Sequence, residues 1–148
     1  MLDSIDQRII HVLYDNGRIS LKELSDKVGL SSPSVSERLY RLEDRGVIAA
    51  FTIRMKPETL GYPLQAIVRI SVLPGNLHKV ERLIQQTAEF VECDKVTGDY
   101  DFIGRVYLRS MEHLEKVLDR FQDMARLSTA MIKTTCVKRR LPPLGDGR

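Results

Sequence analysis

The sequence predicts an α+β fold, a small helix-turn-helix module followed by a ferredoxin-like βαββαβ sheet domain. Three observations predict it. The first 46 residues carry three short helical periodicities, each with its own start and stop signal. Residues 64–72 alternate apolar and polar positions as a half-buried strand does. From there to about residue 138 the order strand, helix, strand occurs twice, which is the split βαβ arrangement with helices on one face of a four-stranded sheet.

In the first helix, about 4 to 15, Ile5, Ile9 and Leu13 recur at helical spacing, Asp3 is placed to cap the start, and "DNG" at 15–17 stops the pattern. The second opens on "SLKE" at 20–23, a capping box in which Ser20 takes the Glu23 N–H while the glutamate reaches back, and it runs to Val28 before Gly29. The third starts at Ser32-Pro33, with Ser32 as the expected cap and proline at the first helical position, and ends at Gly46. "VIAAFTIR", 47–54, then reads as a short strand closed by Pro57.

On the third helix, at about 100° per residue, Val35, Leu39 and Leu42 share one stripe, and Ser34, Arg38, Arg41 and Arg45 share the neighbouring one. One face packs while the other offers guanidinium forks to phosphates and guanine edges. With serines crowding its N-terminal end and a helix and turn of supporting length before it, this helix is expected to read DNA.

Beyond "LGYP" at 60–63 come the strand 64–72, a helix carrying Leu77, Val80, Leu83, Ile84 and Ala88, and the strand "FVECDKVT". After "GDYD" follow the strand "FIGRVYL", Ser110 as a cap, a helix carrying Leu114, Val117, Leu118 and Phe121, and the strand "AMIKTTCVK", 130–138. Two helices cover one sheet face, so the other face needs a cover. The turn "TGDYD", 97–101, gathers two carboxylates, a hydroxyl, a phenol and a flexible glycine; it can be read as an ordinary hairpin connection or as a site for an α-amino acid. The tail "KRRLPPLGDGR" reads as an edge strand followed by a frayed end.

Composition narrows the function classes. The net charge of +3 and a sequence with 43% hydrophobic and 29% charged residues describe a water-soluble chain compatible with a nucleic-acid partner, with no apolar run near the roughly 18 residues of a membrane span. The start "MLDSIDQRII" lacks a secretory pattern, which makes the cytoplasm the expected compartment. Cys93 and Cys136, both in expected strands, are expected to be buried reduced thiols, and His11, His78 and His113 have no metal-ligand spacing. No nucleophile elbow, Cys-His pair, Walker lysine or GxGxxG appears, so neither an enzyme, a metal nor a cofactor is expected.

"LDSIDQRII", "DNGRISLKELSDKVGLS", "SVSERLYRLEDRGVI", "LG" at 60–61 and "VTGDYDF" at 96–102, in this order and spacing, resemble the Lrp/AsnC, or feast/famine, regulators over nearly the whole chain. The resemblance implies a winged helix-turn-helix and an ACT-like RAM domain whose sheets pair face to face into dimers, often assembled into octamers or other rings. The corresponding limits are 1–50 for the DNA-binding domain, 51–63 for a strand and linker, 64–140 for RAM and 141–148 for a tail. Carried onto this chain, recognition of double-stranded DNA falls to Ser32, Ser34, Ser36, Arg38 and Arg41. A small effector, commonly an amino acid, falls to Gly98, Asp99, Tyr100 and Asp101 with Thr135 on the last strand. Glu37 departs from the basic residue many members carry there, and a carboxylate accepts from cytosine rather than donating to guanine. The alternative is an effector-independent architectural protein that bends or wraps DNA with the same modules.

Overall fold

A computed structural model describes residues 2–145. The chain divides into two compact units, one of Met1–Arg54 with Val137–Arg148 and one of Met55–Cys136.

The first unit holds α1 (Ser4–Asp15), α2 (Leu21–Val28) and α3 (Ser32–Asp44). Their starts follow local chemistry. Asp3 Oδ1 accepts the N–H groups of Ile5 and Asp6 at 2.9 and 2.8 Å, and Ser20 and Glu23 complete the capping box. Gly29, at φ 72°, ends α2 in the left-handed conformation that glycine reaches without strain. The cap of α3 is Ser31 rather than Ser32: Ser31 has the extended backbone and its hydroxyl accepts the Ser34 N–H, so Ser32 and Pro33 are the first two helical residues. The helix closes at Asp44, two residues before the expected Gly46, which follows at φ 68°.

Ile9, Ile10, Leu24, Val28, Val35 and Leu42 form the core of this unit. Leu39, expected in the packed stripe, is only half-buried and stands outside that cluster. Two further expectations need correction. Residues 47–54 form no strand, because no neighbouring backbone pairs with them; Phe51 and Ile53 are consequently exposed, Ile53 by 78%. Nor is the tail frayed as far as residue 145, residues 146–148 lying outside the described residues: Leu141 and Leu144 pack against the helical core, the Tyr14 hydroxyl donates to the Arg139 carbonyl, and the Gln7 amide donates to the Gly145 carbonyl at 2.8 Å. Two apolar side chains one and four residues past the cationic triplet 138–140 pack against the three short helices.

The second unit is a four-stranded antiparallel sheet in the order β2-β3-β1-β4, the ferredoxin-like order, built from β1 (Leu64–Val72), α4 (Leu77–Gln86), β2 (Phe90–Lys95), β3 (Phe102–Leu108), α5 (Met111–Asp119) and β4 (Ala125–Met131). Ala66, Val68 and Ile70 on β1 pack with Phe102, Val106 and Leu108 on β3 and with Val80, Ile84, Leu114 and Val117 of the two helices. The intervening residues Gln65, Ile67, Arg69 and Ser71 therefore lie on the opposite face, since successive strand side chains alternate. Gly104 is required by packing: a Cβ there would stand 2.6 Å from the Phe90 ring.

β4 lies about five residues before the expected 130–138. Its ladder runs from Val72↔Ala125 to Ala66↔Met131, and beyond Ile132 N–H to Gln65 O at 2.9 Å β1 has no more edge to pair. Thr135 and Cys136 therefore fall outside any strand and are exposed, which corrects the placement of both and the expected burial of Cys136. Phe121 is fully buried but sits in the turn after α5, where its carbonyl accepts the N–H groups of Met124 and Ala125. Ala88 lies past the end of α4 and is exposed, while Thr87, buried, bonds back to the Leu83 carbonyl at 2.7 Å.

Candidate nucleic-acid interface and candidate effector site

The buried pair Val35 and Leu42 defines the inner side of α3. Going round the helix at about 100° per residue, the direction opposite that pair is occupied by Glu37, Tyr40 and Asp44, flanked by Ser34 and Arg41 on one side and Ser36 on the other. Ser34, Ser36 and Arg41 are exposed, and Arg41 pairs with Glu37 one turn earlier. Ser32 is half-buried with its hydroxyl 3.2 Å from that of Ser25 on α2, which ties the start of α3 to the preceding helix. Arg38 differs most from expectation. Its Nη1 lies 2.6 Å from Asp3 Oδ2 and 2.7 Å from Asp6 Oδ1, so its guanidinium is turned onto α1 rather than outward. The N–H of Asp6 and the Arg38 guanidinium both hold the Asp3 carboxyl below the usual carboxylate range, and the two acids raise Arg38 in return. Tyr40, 69% exposed, was not among the residues expected to matter; its place on the side of α3 away from Val35 and Leu42 was the available signal.

In the second unit the turn 97–101 is pinned to the end of β1. Gly98 has φ 106°, a conformation that a side chain would strain. Asp101 N–H donates to Ile70 O at 2.8 Å, Asp101 Oδ2 accepts the Val72 N–H at 2.7 Å, and Ser71 Oγ donates to Asp99 O at 3.0 Å. One Asp101 oxygen is thus used by the fold. The Arg69 guanidinium lies 5.7 Å from the centre of the Tyr100 ring and donates to Ser128 Oγ on β4 at 3.0 Å. Gly98, Asp99, Tyr100 and Asp101 are therefore together, but no hydrogen bond joins Thr135 to them among the described residues. Sequence reasoning missed Arg69, because only the strand register brings it beside the turn.

Two shallow depressions lie elsewhere on this unit. One, of about 320 Å³, is lined by residues including Tyr62, Arg109 and His113; the other, of about 400 Å³, by residues of α4 and β2 with Phe102. In the first, His113 Nδ1 accepts the Arg109 N–H at 3.1 Å and Nε2 stands 3.0 Å from Glu89 Oε1. Burial alone would raise the Glu89 carboxyl, but the bond to His113 and the charges of Arg120 and His113 outweigh it and leave it lowered. Burial and Asp94 push the Cys93 thiol up. Among the described residues no group of His, Cys, Asp and Glu could hold a metal, and no helix is long and apolar enough to cross a membrane.

A trihelical module with an exposed polar helix, joined in one chain to a ferredoxin-like sheet unit, defines a DNA-binding transcriptional regulator that carries a ligand-binding domain. Residues 2–49 match the winged helix-turn-helix DNA-binding family and residues 65–142 the Lrp/AsnC ligand binding domain. The chain belongs to the Lrp/AsnC family. It is 37% identical to the HTH-type transcriptional regulator FL11 of Pyrococcus furiosus, over 80% of this chain and 79% of that protein. The solved structure of LrpC from B. subtilis superposes with a TM-score of 0.88 at 29% identity, covering 94% of this chain and 99% of that one. A feast or famine regulatory protein from M. tuberculosis complexed with L-methionine superposes at 0.87 and 31% identity, covering 96% and 99%.

Proposed function

We propose that the chain is a sequence-specific regulator in the cytoplasm whose DNA affinity or assembly responds to an amino acid held at the turn 97–101. Ser34, Ser36 and Arg41 meet DNA with Tyr40 beside them, Ser32 anchors the helix, and Arg38 is released from Asp3 and Asp6 only if phosphate competes for it. The domain limits follow the family, with DNA read by residues 1–50 and the effector sensed by 64–140. The observation that carries the reading is the pairing of an exposed recognition helix with a sheet unit whose acid-bearing turn is held open on β1; the L-methionine complex of the M. tuberculosis relative supports an amino acid as its ligand.

The partner is a second copy of the chain. Ile67, Ile103 and Tyr107 occupy the sheet face away from α4 and α5, and pairing two such faces buries them; dimers then assemble into octamers or other rings. Neither depression described above is lined by residues of the turn, and a neighbouring subunit completes the site.

DNA titrations of the full chain with and without each of the twenty amino acids test this. Arg41→Ala weakens specific binding by about 1 to 3 kcal/mol, and at least one amino acid shifts wild-type affinity or sedimentation. Unchanged affinity in Arg41→Ala removes the helix assignment. A protein that binds DNA but answers to none of the amino acids is the effector-independent architectural protein instead.

A further inference from the structure

Resting on the amino-acid reading above, we infer that Arg69 is the specificity residue of the turn site, taking the ligand's α-carboxylate while Asp99 takes its ammonium, so that the site selects intact zwitterionic amino acids over their amides and amines. Arg69 Nε is the one buried side-chain N or O atom without a hydrogen-bond partner among the described residues. Buried donors are nearly always paired, so the unpaired Nε marks a guanidinium that the fold of one chain leaves short of acceptors. Its guanidinium is held in place by the Ser128 hydroxyl at 3.0 Å and by the Tyr100 ring at 5.7 Å, which fixes the plane of the fork without using up its donors.

Charge around the turn points the same way. Eight ion pairs tie up other charged side chains, yet among the described residues neither Arg69 nor Asp99 joins one, with each other or with a third group. Asp99 spends only its backbone carbonyl, on Ser71, which leaves its carboxylate available. A zwitterion has to be desolvated at both ends and satisfied at both, and one unneutralised cation and one unneutralised anion flanking Tyr100 match that need. Asp101 is already partly committed to the fold, since Val72 N–H occupies one of its oxygens, whereas the Asp99 carboxylate is free of such a bond. The fork suits a carboxylate because a planar guanidinium presents two parallel N–H groups, a geometry an amide or amine cannot accept.

Calorimetry on the full-length chain with L-methionine and L-methioninamide, which lacks the carboxylate, tests the assignment. Wild type should bind L-methionine at least about tenfold more tightly than the amide. Arg69→Gln, which can still bond Ser128, should bind L-methionine about as weakly as wild type binds the amide and should no longer distinguish the two, while keeping the wild-type circular dichroism and its DNA affinity without ligand. Equal binding of the two compounds by wild type overturns the inference without any variant, as does full discrimination retained by Arg69→Gln; in either case the amino-acid response stands. Binding of neither compound by wild type overturns the carboxylate role, and the twenty-amino-acid titration then shows whether the effector reading falls with it.

Discussion

A residue of the proposed site can also serve the fold, and Asp101 shows the consequence. Its Oδ2 is the acceptor for Val72 N–H at the end of β1, at 2.7 Å in a part-buried position. Removing it leaves a main-chain donor without a partner, which costs about 1 to 3 kcal/mol. Asp101→Ala is therefore expected to lower the unfolding free energy of the sheet unit in urea by that amount, whatever it does to ligand response, and an unchanged urea midpoint would show that water replaces the carboxylate without loss. Asp99→Asn, which leaves the Asp99 carbonyl on Ser71, is the cleaner substitution for probing the ligand. Arg38 illustrates the same division in the other unit: a side chain whose type and spacing suit DNA is turned by two acids onto α1.

Helix starts are where the elements carry their charge. Asp3 and Glu23 both accept main-chain N–H groups at the first turn of α1 and α2, and those bonds, with Arg38 and Ser20, hold both carboxyls below their ordinary values of 3.8 and 4.5. A carboxyl lowered in the folded state contributes stability that is complete above its unfolded value and is lost as the pH falls through the folded one. Acid is accordingly expected to loosen α1 and α2 as pH drops below those ordinary values, read by hydrogen exchange of their first-turn amides. Asp3→Asn should flatten the acid limb for α1 while leaving that of α2 in place; two unchanged limbs would refute the role of Asp3.

At the scale of the molecule, the helical unit is assembled from both ends of the chain. Leu141 and Leu144 reach its core past a segment with no regular structure, and Tyr14 and Gln7 on α1 hold the carbonyls of Arg139 and Gly145. Two half-buried leucines contribute about 1 kcal/mol each. Leu141→Ala with Leu144→Ala should therefore speed hydrogen exchange in α1 in line with a loss of about 2 kcal/mol, leaving β1 and β3 amides unaffected; slow exchange retained in α1 would show that the tail adds nothing to the core.

The helices with their caps, the alternation of β1 and β3 and the twofold βαβ order were legible in the chain because each depends on neighbours within a turn or a strand length. Tertiary structure decided what depends on a distant partner. Residues 47–54 read as a strand but find no edge to pair with, whereas the polar "LSTA" becomes part of β4 because β1 offers it a ladder. Serines and arginines of α3 could be named from spacing, but their roles could not be apportioned until Asp3 and Asp6 were seen to hold Arg38. "TGDYD" marked its own position through local turn chemistry. Arg69, some thirty residues earlier, joined it only through the register of β1 with β3 and β4, a long-range pairing that no local pattern encodes.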